Sequence, residues 1–260
     1  MRRTLAGLAA CAALWCTPAD ASLIISASVD GGGTIFAVDN SLVNTCGAPV
    51  VGPCQLADLD PTLGTLVVGS HTISGNLLVL PTVQTADVAT VPGTINRLDS
   101  TGTQFTNLDT VSHSILVAIG ATDFQGPSLQ AFTTGAGQFS TLGTGYADTT
   151  ITMRYFDDPT NQQGAETPTD TPGSLLDTFT FVPTTNPQSF SHNGGPFAVN
   201  DPNLFSMTLQ YEAVIGPGVR ITGREQTEIK PLAAVAQPST GMLVGLGALL
   251  MSLGLVYRHK

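Results

Sequence analysis

Between Ser22 and Ala236 the dominant pattern is alternation of apolar and polar residues with a period of two. Leu23, Ile25, Ala27 and Val29 fall on one face of an extended chain, and Ser26, Ser28 and Asp30 on the other. The clearest stretch runs from Phe205 to Ala213. There Phe205, Met207, Leu209, Tyr211 and Ala213 alternate with Ser206, Thr208, Gln210 and Glu212. After Gly216-Pro217-Gly218 the alternation resumes with Val219 and Ile221 against Arg220 and Thr222, which predicts a hairpin with one wet and one dry face. Ile151, Met153 and Tyr155 repeat the pattern, as do Phe179 and Phe181. Leu66 to Val68, Leu77 to Leu80 and Ile115 to Ile119 are apolar on both faces, as central strands covered on both sides would be. Helical periodicity does not persist beyond about two turns anywhere in this region.

Two polar stretches interrupt the strands. From Asp157-Asp158-Pro159 to Pro172-Gly173 the residues are Asn, Gln, Thr, Glu and Asp, and from Pro183 to Asn203 they include His192-Asn193-Gly194-Gly195-Pro196. Both read as long loops, which are uncommon in compact domains and are often functional or mobile. About eight to eleven short strands separated by Gly, Pro, Asn and Asp point to an all-β, single β-sandwich or jelly-roll-like domain over residues 22–230. No fixed-period repeat supports a solenoid or propeller.

The ends have a different character. Arg2 and Arg3 precede an apolar stretch, Leu5 to Trp15, followed by Thr17-Pro18-Ala19-Asp20-Ala21. Charged, apolar and small residues in that order form a secretory signal peptide over residues 1–21, with Ala19 and Ala21 as the small side chains and cleavage between Ala21 and Ser22. At the other end Gly241 to Tyr257 is a seventeen-residue apolar run, closed by Arg258-His259-Lys260. A helix there is apolar on every face and just long enough to span a bilayer. Its basic end stays cytoplasmic, which leaves the body outside.

The segment before that run reads Val235-Ala236-Gln237-Pro238-Ser239-Thr240. With the Gly/Leu-rich helix and the terminal basic cluster, it resembles the PEP-CTERM sorting signal of exported Gram-negative proteins. Val235, Pro238, Ser239 and Thr240 match the motif, while Ala236 and Gln237 stand where the signal has Pro and Glu. The resemblance covers about the last 26 residues: a linker with the motif (231–240), the sorting helix (241–257) and the basic end (258–260). It implies recognition by an exosortase-like processing enzyme after passage through the export machinery. An inner-membrane-anchored precursor would then give a product at the cell surface or in an exopolysaccharide matrix, with the tail serving as an address.

Composition supports an outside location. The mature body has five basic side chains (Arg97, Arg154, Arg220, Arg224, Lys230) against eighteen acidic ones, a balance that repels nucleic acid and anionic lipid. Cys11 and Cys16 leave with the signal peptide. Cys46 and Cys54 bracket a Gly/Pro-rich loop and read as one local disulfide in an exported protein.

The search for chemistry is mostly negative. The chain has no nucleophile elbow, zinc-protease motif, phosphate-binding loop or EF-hand loop, so no catalytic residue, required cofactor or transition-metal site is assigned. Asp109, His113 and Ser114 can be written as a triad, but neighbouring strand residues point to opposite faces. Asp157, Asp158 and Glu166 share a loop and, with Asn161 and backbone carbonyls, are compatible with calcium; Asp58 and Asp60 form a second such pair. A carbohydrate- or calcium-binding module is therefore the alternative to a non-catalytic surface or matrix protein. A secreted polysaccharide hydrolase or lyase ranks behind both and would need convergent carboxylates in a cleft. The mature chain lacks Trp; Tyr146, Tyr155 and Tyr211 remain as aromatic platforms, the last two on dry faces.

Intact-mass analysis of protein from the native envelope and medium checks the reading of the ends. The expected species begins at Ser22 and ends between Gln237 and Thr240; one ending at Lys260 and confined to membranes would make the tail a permanent anchor.

Overall fold

The computed structural model describes residues 22–73, 77–80, 82–87, 95–143, 146 and 148–230. The signal peptide with Ala21, the motif Val235–Thr240 and the proposed membrane helix at 241–257 lie outside the described residues. Ser22, the first of them, is exposed. Among the described residues no helix is long and apolar enough to cross a membrane.

Fifteen strands are described, more than the sequence pattern separates. Seven short ones come first: β1 (Leu23–Val29), β2 (Ile35–Val38), β3 (Cys54–Leu56), β4 (Thr65–Val68), β5 (His71–Ile73), β6 (Leu77–Leu80) and β7 (Thr82–Asp87). Eight longer ones follow: β8 (Asn96–Asn107), β9 (His113–Gln125), β10 (Ser128–Thr141), β11 (Thr150–Asp158), β12 (Ser174–Phe181), β13 (Gln188–Asp201), β14 (Leu204–Ile215) and β15 (Val219–Lys230). They form a seven-stranded sheet, β12-β11-β14-β9-β1-β2-β3, and an eight-stranded sheet containing β13-β10-β15-β8-β6-β5, with β7 on β8 and β4 on β7. The long strands alone give the orders β8-β15-β10-β13 and β9-β14-β11-β12, the arrangement of a jelly roll. The short strands extend both sheets beyond β8 and β9. All pairings are antiparallel except β2 with β3.

The core lies between the sheets and is built from the alternating rows. Phe205, Met207, Leu209, Tyr211 and Ala213 of β14 are all buried, as are Ile151, Met153 and Tyr155 of β11. From the opposite sheet come Phe139, Val219, Ile221, Ile229, Leu98 and Phe105. Phe105 meets Tyr211 across the sandwich with ring centroids 5.8 Å apart. Burying a side chain of this size is worth about 1.5–3 kcal/mol, so these rows dominate the stability of the fold.

Four sequence expectations change. The turn at Gly216-Pro217-Gly218 does not make a hairpin: β14 and β15 belong to different sheets, and the turn carries the chain across the sandwich. Alternation reports which face is dry and leaves the partner open, so two dry faces opposed across a core look like a hairpin in sequence. The polar stretch 183–203 contains β13, a fourteen-residue edge strand. Gly and Pro are tolerated at an edge, where half of the ladder is unpaired. Leu66 to Val68 belongs to β4, which is paired only with β7 and is thus peripheral, whereas Ile115 to Ile119 does lie centrally, between β1 and β14. Finally, the supposed wet face of β14 is covered. Ser206, Thr208 and Gln210 are buried beneath the 159–173 loop, which lies flat on the outer face of the seven-stranded sheet.

That loop is seated by side-chain hydrogen bonds and by missing side chains. Ser206 Oγ donates to the Gln162 carbonyl (2.7 Å), and Gln210 Nε2 donates to the Pro168 carbonyl (2.8 Å). A Cβ on Gly120 would collide with the Gly164 carbonyl, and one on Gly164 with Thr208 Oγ1. Gly120→Ala is expected to cost roughly 1–3 kcal/mol and to open the loop to protease. An unchanged denaturation midpoint and cleavage pattern would show that the loop does not depend on this contact.

Candidate functional site

The open edges of the two sheets meet along β12 and β13. Asp177 of β12 accepts hydrogen bonds from Thr133 Oγ1 (2.5 Å) and pairs with His192 Nε2 (2.6 Å), so one carboxylate ties three strands from both sheets. A Cβ on Gly194 would strike Asp177 Oδ2, which explains the glycine two residues after His192. Phe179 stacks on the His192 ring at 4.6 Å, and Phe181, Phe190 and Phe139 continue the aromatic row. Sequence reading finds neither the clamp nor the row, because β13 reads as a loop.

The suggested triad is not one. His113 lies between two acids, with Nδ1 2.7 Å from Asp30 Oδ2 and Nε2 3.4 Å from Asp109 Oδ2. Ser114 is exposed on the other face, and its backbone N–H donates to Asp30 Oδ1. The arrangement fastens the 107–113 turn to the end of β1.

Acidic residues divide into those with donors and those without. Asp58 is buried, and its oxygens accept the N–H groups of Asn40, Asp60 and Val67. Its sequence partner Asp60 accepts from Thr62 instead, which holds the Asp60 carboxyl below the usual range. Asp158 accepts from Thr160 and Gln162. Asn161 bonds Asp123, and Glu166 is exposed, so the proposed loop carboxylates do not converge. Among the described residues no group of three or more His, Cys, Asp or Glu side chains is placed to hold a metal ion. Asp157 and Asp201 are different: both are buried, no N–H or O–H group donates to Asp157 Oδ1 or to either Asp201 oxygen, and the two carboxyls hydrogen-bond each other. Burial raises both carboxyls above the ordinary range; the neighbouring carboxylates raise Asp157 further, while the bond to Asp157 partly offsets the rise at Asp201.

Glu225 is the third acid without donors. It occupies an inward slot of β15, in the same parity as Val219, Ile221, Thr227 and Ile229. Burial pushes its carboxyl up to about 8. The titratable groups facing it are Tyr155 and Tyr211 of the opposite sheet, whose hydroxyls are themselves raised by burial and then by Glu225. Parity alone could have revealed this carboxyl on a dry face. Tyr155 and Tyr211 are buried, so neither serves as an aromatic platform.

The outer face of the eight-stranded sheet is the broad polar surface. Gln138 stands between Ser189 and Thr222, Ala136 between Ser191 and Arg224, and Thr134 between Asn193 and Gln226. Gln138, Ala136, Ser189, Ser191 and Asn193 are exposed. Of the cations on this face, Arg224 pairs with Asp99 (2.8 Å), Arg97 and Lys230 both pair with Glu228, and the exposed Arg220 bonds the neutral amide of Gln104. The face therefore presents hydroxyls and amides with little free charge. Elsewhere, a surface hollow of about 480 Å³ beside the Cys46–Cys54 loop is lined by Pro49, Val50, Ser70 and His71 among others, with no carboxylate. The predicted disulfide is formed, with an S–S distance of 2.05 Å.

No family model and no curated protein matches the chain. Solved structures with partial likeness include a family 61 carbohydrate-binding module in complex with β-1,4-galactotriose: TM-score 0.32, 7% identity, 49% of this chain and 70% of that chain covered. A family 6 module of a laminarinase from Zobellia galactanivorans gives TM-score 0.22 and 11% identity over 48% of this chain and 80% of that one. The structure of infectious bursal disease virus, Gx strain, gives TM-score 0.31 and 10% identity over 90% of this chain and 55% of that one. At these scores the likenesses fix neither a family nor a ligand.

Glu225 generates a pH prediction. Its folded carboxyl keeps a proton that the unfolded chain releases near the ordinary 4.5, so the folded state binds more protons between the two values. Stability from this group is full below that ordinary value and is lost as pH rises toward about 8. Glu225→Gln should remove up to about 1.4 kcal/mol of pH dependence per pH unit in that window. Denaturant midpoints at pH 5 and pH 8 measure it; identical slopes in parent and variant would show that Glu225 ionises freely in the fold.

Proposed function

We propose that this chain is an exported, non-catalytic β-sandwich protein of the cell surface or extracellular matrix, which holds exopolysaccharide against the outer face of its eight-stranded sheet. The observation that carries the reading is that face: rows of Ser, Thr, Asn and Gln on β13, β10 and β15 around the small Ala136, with all its cations but Arg220 paired to acids. Neutral polysaccharide offers many hydroxyls along a repeating, extended chain. A flat field of amides and hydroxyls at strand spacing matches it without asking for charge. The Cys46–Cys54 disulfide fits an oxidising compartment. Export by the N-terminal segment and sorting by an exosortase-like enzyme at Val235–Thr240 complete the reading. They rest on the resemblance of the tail. A non-catalytic role is supported by the acids: those without donors are enclosed in the sandwich, and the suggested triad is a structural clamp.

Co-sedimentation with exopolysaccharide from the producing host, alongside an array of neutral glycans, tests the assignment. The parent protein is expected to be retained. The triple variant Gln138→Ala, Ser191→Ala, Asn193→Ala should bind about tenfold more weakly or worse, with an unchanged thermal midpoint. No retention on any glycan would overturn the polysaccharide reading; retention indifferent to the triple variant would overturn the choice of face.

A further inference from the structure

At one end of the sandwich the inward row of β11 continues past Ile151, Met153 and Tyr155 to Asp157. On the opposite sheet Asp201 ends β13 and stands directly across from Ser128, the first residue of β10. Directly opposed residues of an antiparallel pair project to the same side, so Ser128 and Asp201 share one direction, inward. Asp157 is 4% exposed, and Asp201 and Ser128 are each 1% exposed. No N–H or O–H group donates to Asp157 Oδ1 or to either carboxylate oxygen of Asp201, the two carboxyls hydrogen-bond each other, and Ser128 Oγ has no partner.

These groups contrast with the rest of the molecule. Asp158 is provided with N–H and O–H donors from its own turn, and Asp58 with the N–H groups of Asp60, Asn40 and Val67. No cation of the body serves Asp157 and Asp201. Arg97 and Lys230 engage Glu228, Arg154 engages Glu212, Arg224 engages Asp99 and Arg220 bonds Gln104. The nearest additional charge is Asp158, a further negative one, which raises both carboxyls. The backbone on both sides is fixed. The Gly126 N–H donates to the Asn203 carbonyl (2.9 Å), and a Cβ on Gly126 would collide with the Asp201 carbonyl. Gly173, at φ 85°, is pressed equally closely on the Asp157 carbonyl. The two carboxyls are therefore held against each other, with the buried Ser128 hydroxyl on the same side of the β10–β13 pair as Asp201.

Two carboxyls that no cation and no N–H group serves, and a hydroxyl beside them, are all oxygen and form the donor set of a hard divalent cation. We infer that Asp157, Asp201 and Ser128 bind a calcium ion that joins the two sheets at this end of the sandwich. With three protein side chains the remaining positions fall to water and backbone carbonyls, and the affinity belongs in the range of extracellular calcium modules, about 0.1–1 mM. The competing state of the same pair is a proton shared between the carboxyls, and the two states respond oppositely to calcium.

The test uses the full chain at pH 7.5, with thermal midpoints in EDTA and in 10 mM calcium or magnesium chloride, and equilibrium dialysis for stoichiometry. Calcium is expected to raise the midpoint by about 5 °C or more, with one ion bound per chain and a smaller response to magnesium. Asp201→Asn should abolish the response while being at least as stable as the parent in EDTA, because an amide relieves the carboxylate repulsion. Should that variant fail to fold, Ser128→Ala is read instead, with calcium binding weakened about tenfold or more. A parent midpoint that calcium leaves unmoved, with no ion retained in dialysis, would assign a shared proton and overturn the inference. A calcium response that survives in the variants would place the ion elsewhere and overturn it equally. Polysaccharide retention reads the outer face of the eight-stranded sheet and is separate from either outcome.

Discussion

Everything in this molecule depends on two sheets burying their alternating apolar rows against each other. β14 illustrates the constraint: its row from Phe205 to Ala213 faces the opposite sheet, and its Tyr211 meets Phe105 there. Area buried between the sheets supplies the driving force, because hydrogen bonds in the strands largely replace those the chain makes with water. The jelly-roll path then follows. Consecutive long strands mostly alternate between sheets, so each turn becomes a crossing, and the strands on either side of Gly216-Pro217-Gly218 oppose one another across the core.

A sandwich leaves edges and ends to be closed, and polar residues do that work here. At the β12–β13 edge Asp177 ties Thr133 and His192 together while aromatic rings fill the space behind them. At another place His113 is held between Asp30 and Asp109. The 159–173 loop covers one outer face completely enough to bury Ser206 and Thr208, whereas the opposite sheet keeps an open polar face. The two outer faces thus differ: the loop covers part of one, and the other exposes its polar side chains.

The same low-dielectric interior decides how each acid behaves. An acid whose oxygens accept backbone N–H groups, as Asp58 does from Asn40, Asp60 and Val67, is a structural element that ties those segments together. Glu225, alone among apolar side chains and tyrosines, takes up a proton because nothing else compensates its charge. Asp157 and Asp201 face one another across the sheet junction, and a pair of facing carboxylates has a second choice, a shared cation. Composition treats these acids alike; their surroundings separate them.

The sequence by itself determined the all-β class, the dry rows of β11 and β14, the Cys46–Cys54 pairing and the burial of Tyr155 and Tyr211, since each depends on residues near in the chain. Parity of two marks a dry face, and a pair of cysteines around a tight loop is close by necessity. The tertiary structure decided what depends on distant partners: that β14 and β15 lie in different sheets, that 183–203 is a strand, and that the polar row of β14 is covered. It also decided that Asp157 meets Asp201 rather than Asp158's neighbours in the loop, and that His192 meets Asp177. These facts arise from partners that lie from 15 residues away along the chain, as for Asp177 and His192, to 133, as for Asn96 and Ile229, and local pattern is silent there because a strand's alternation is the same whichever partner it finds.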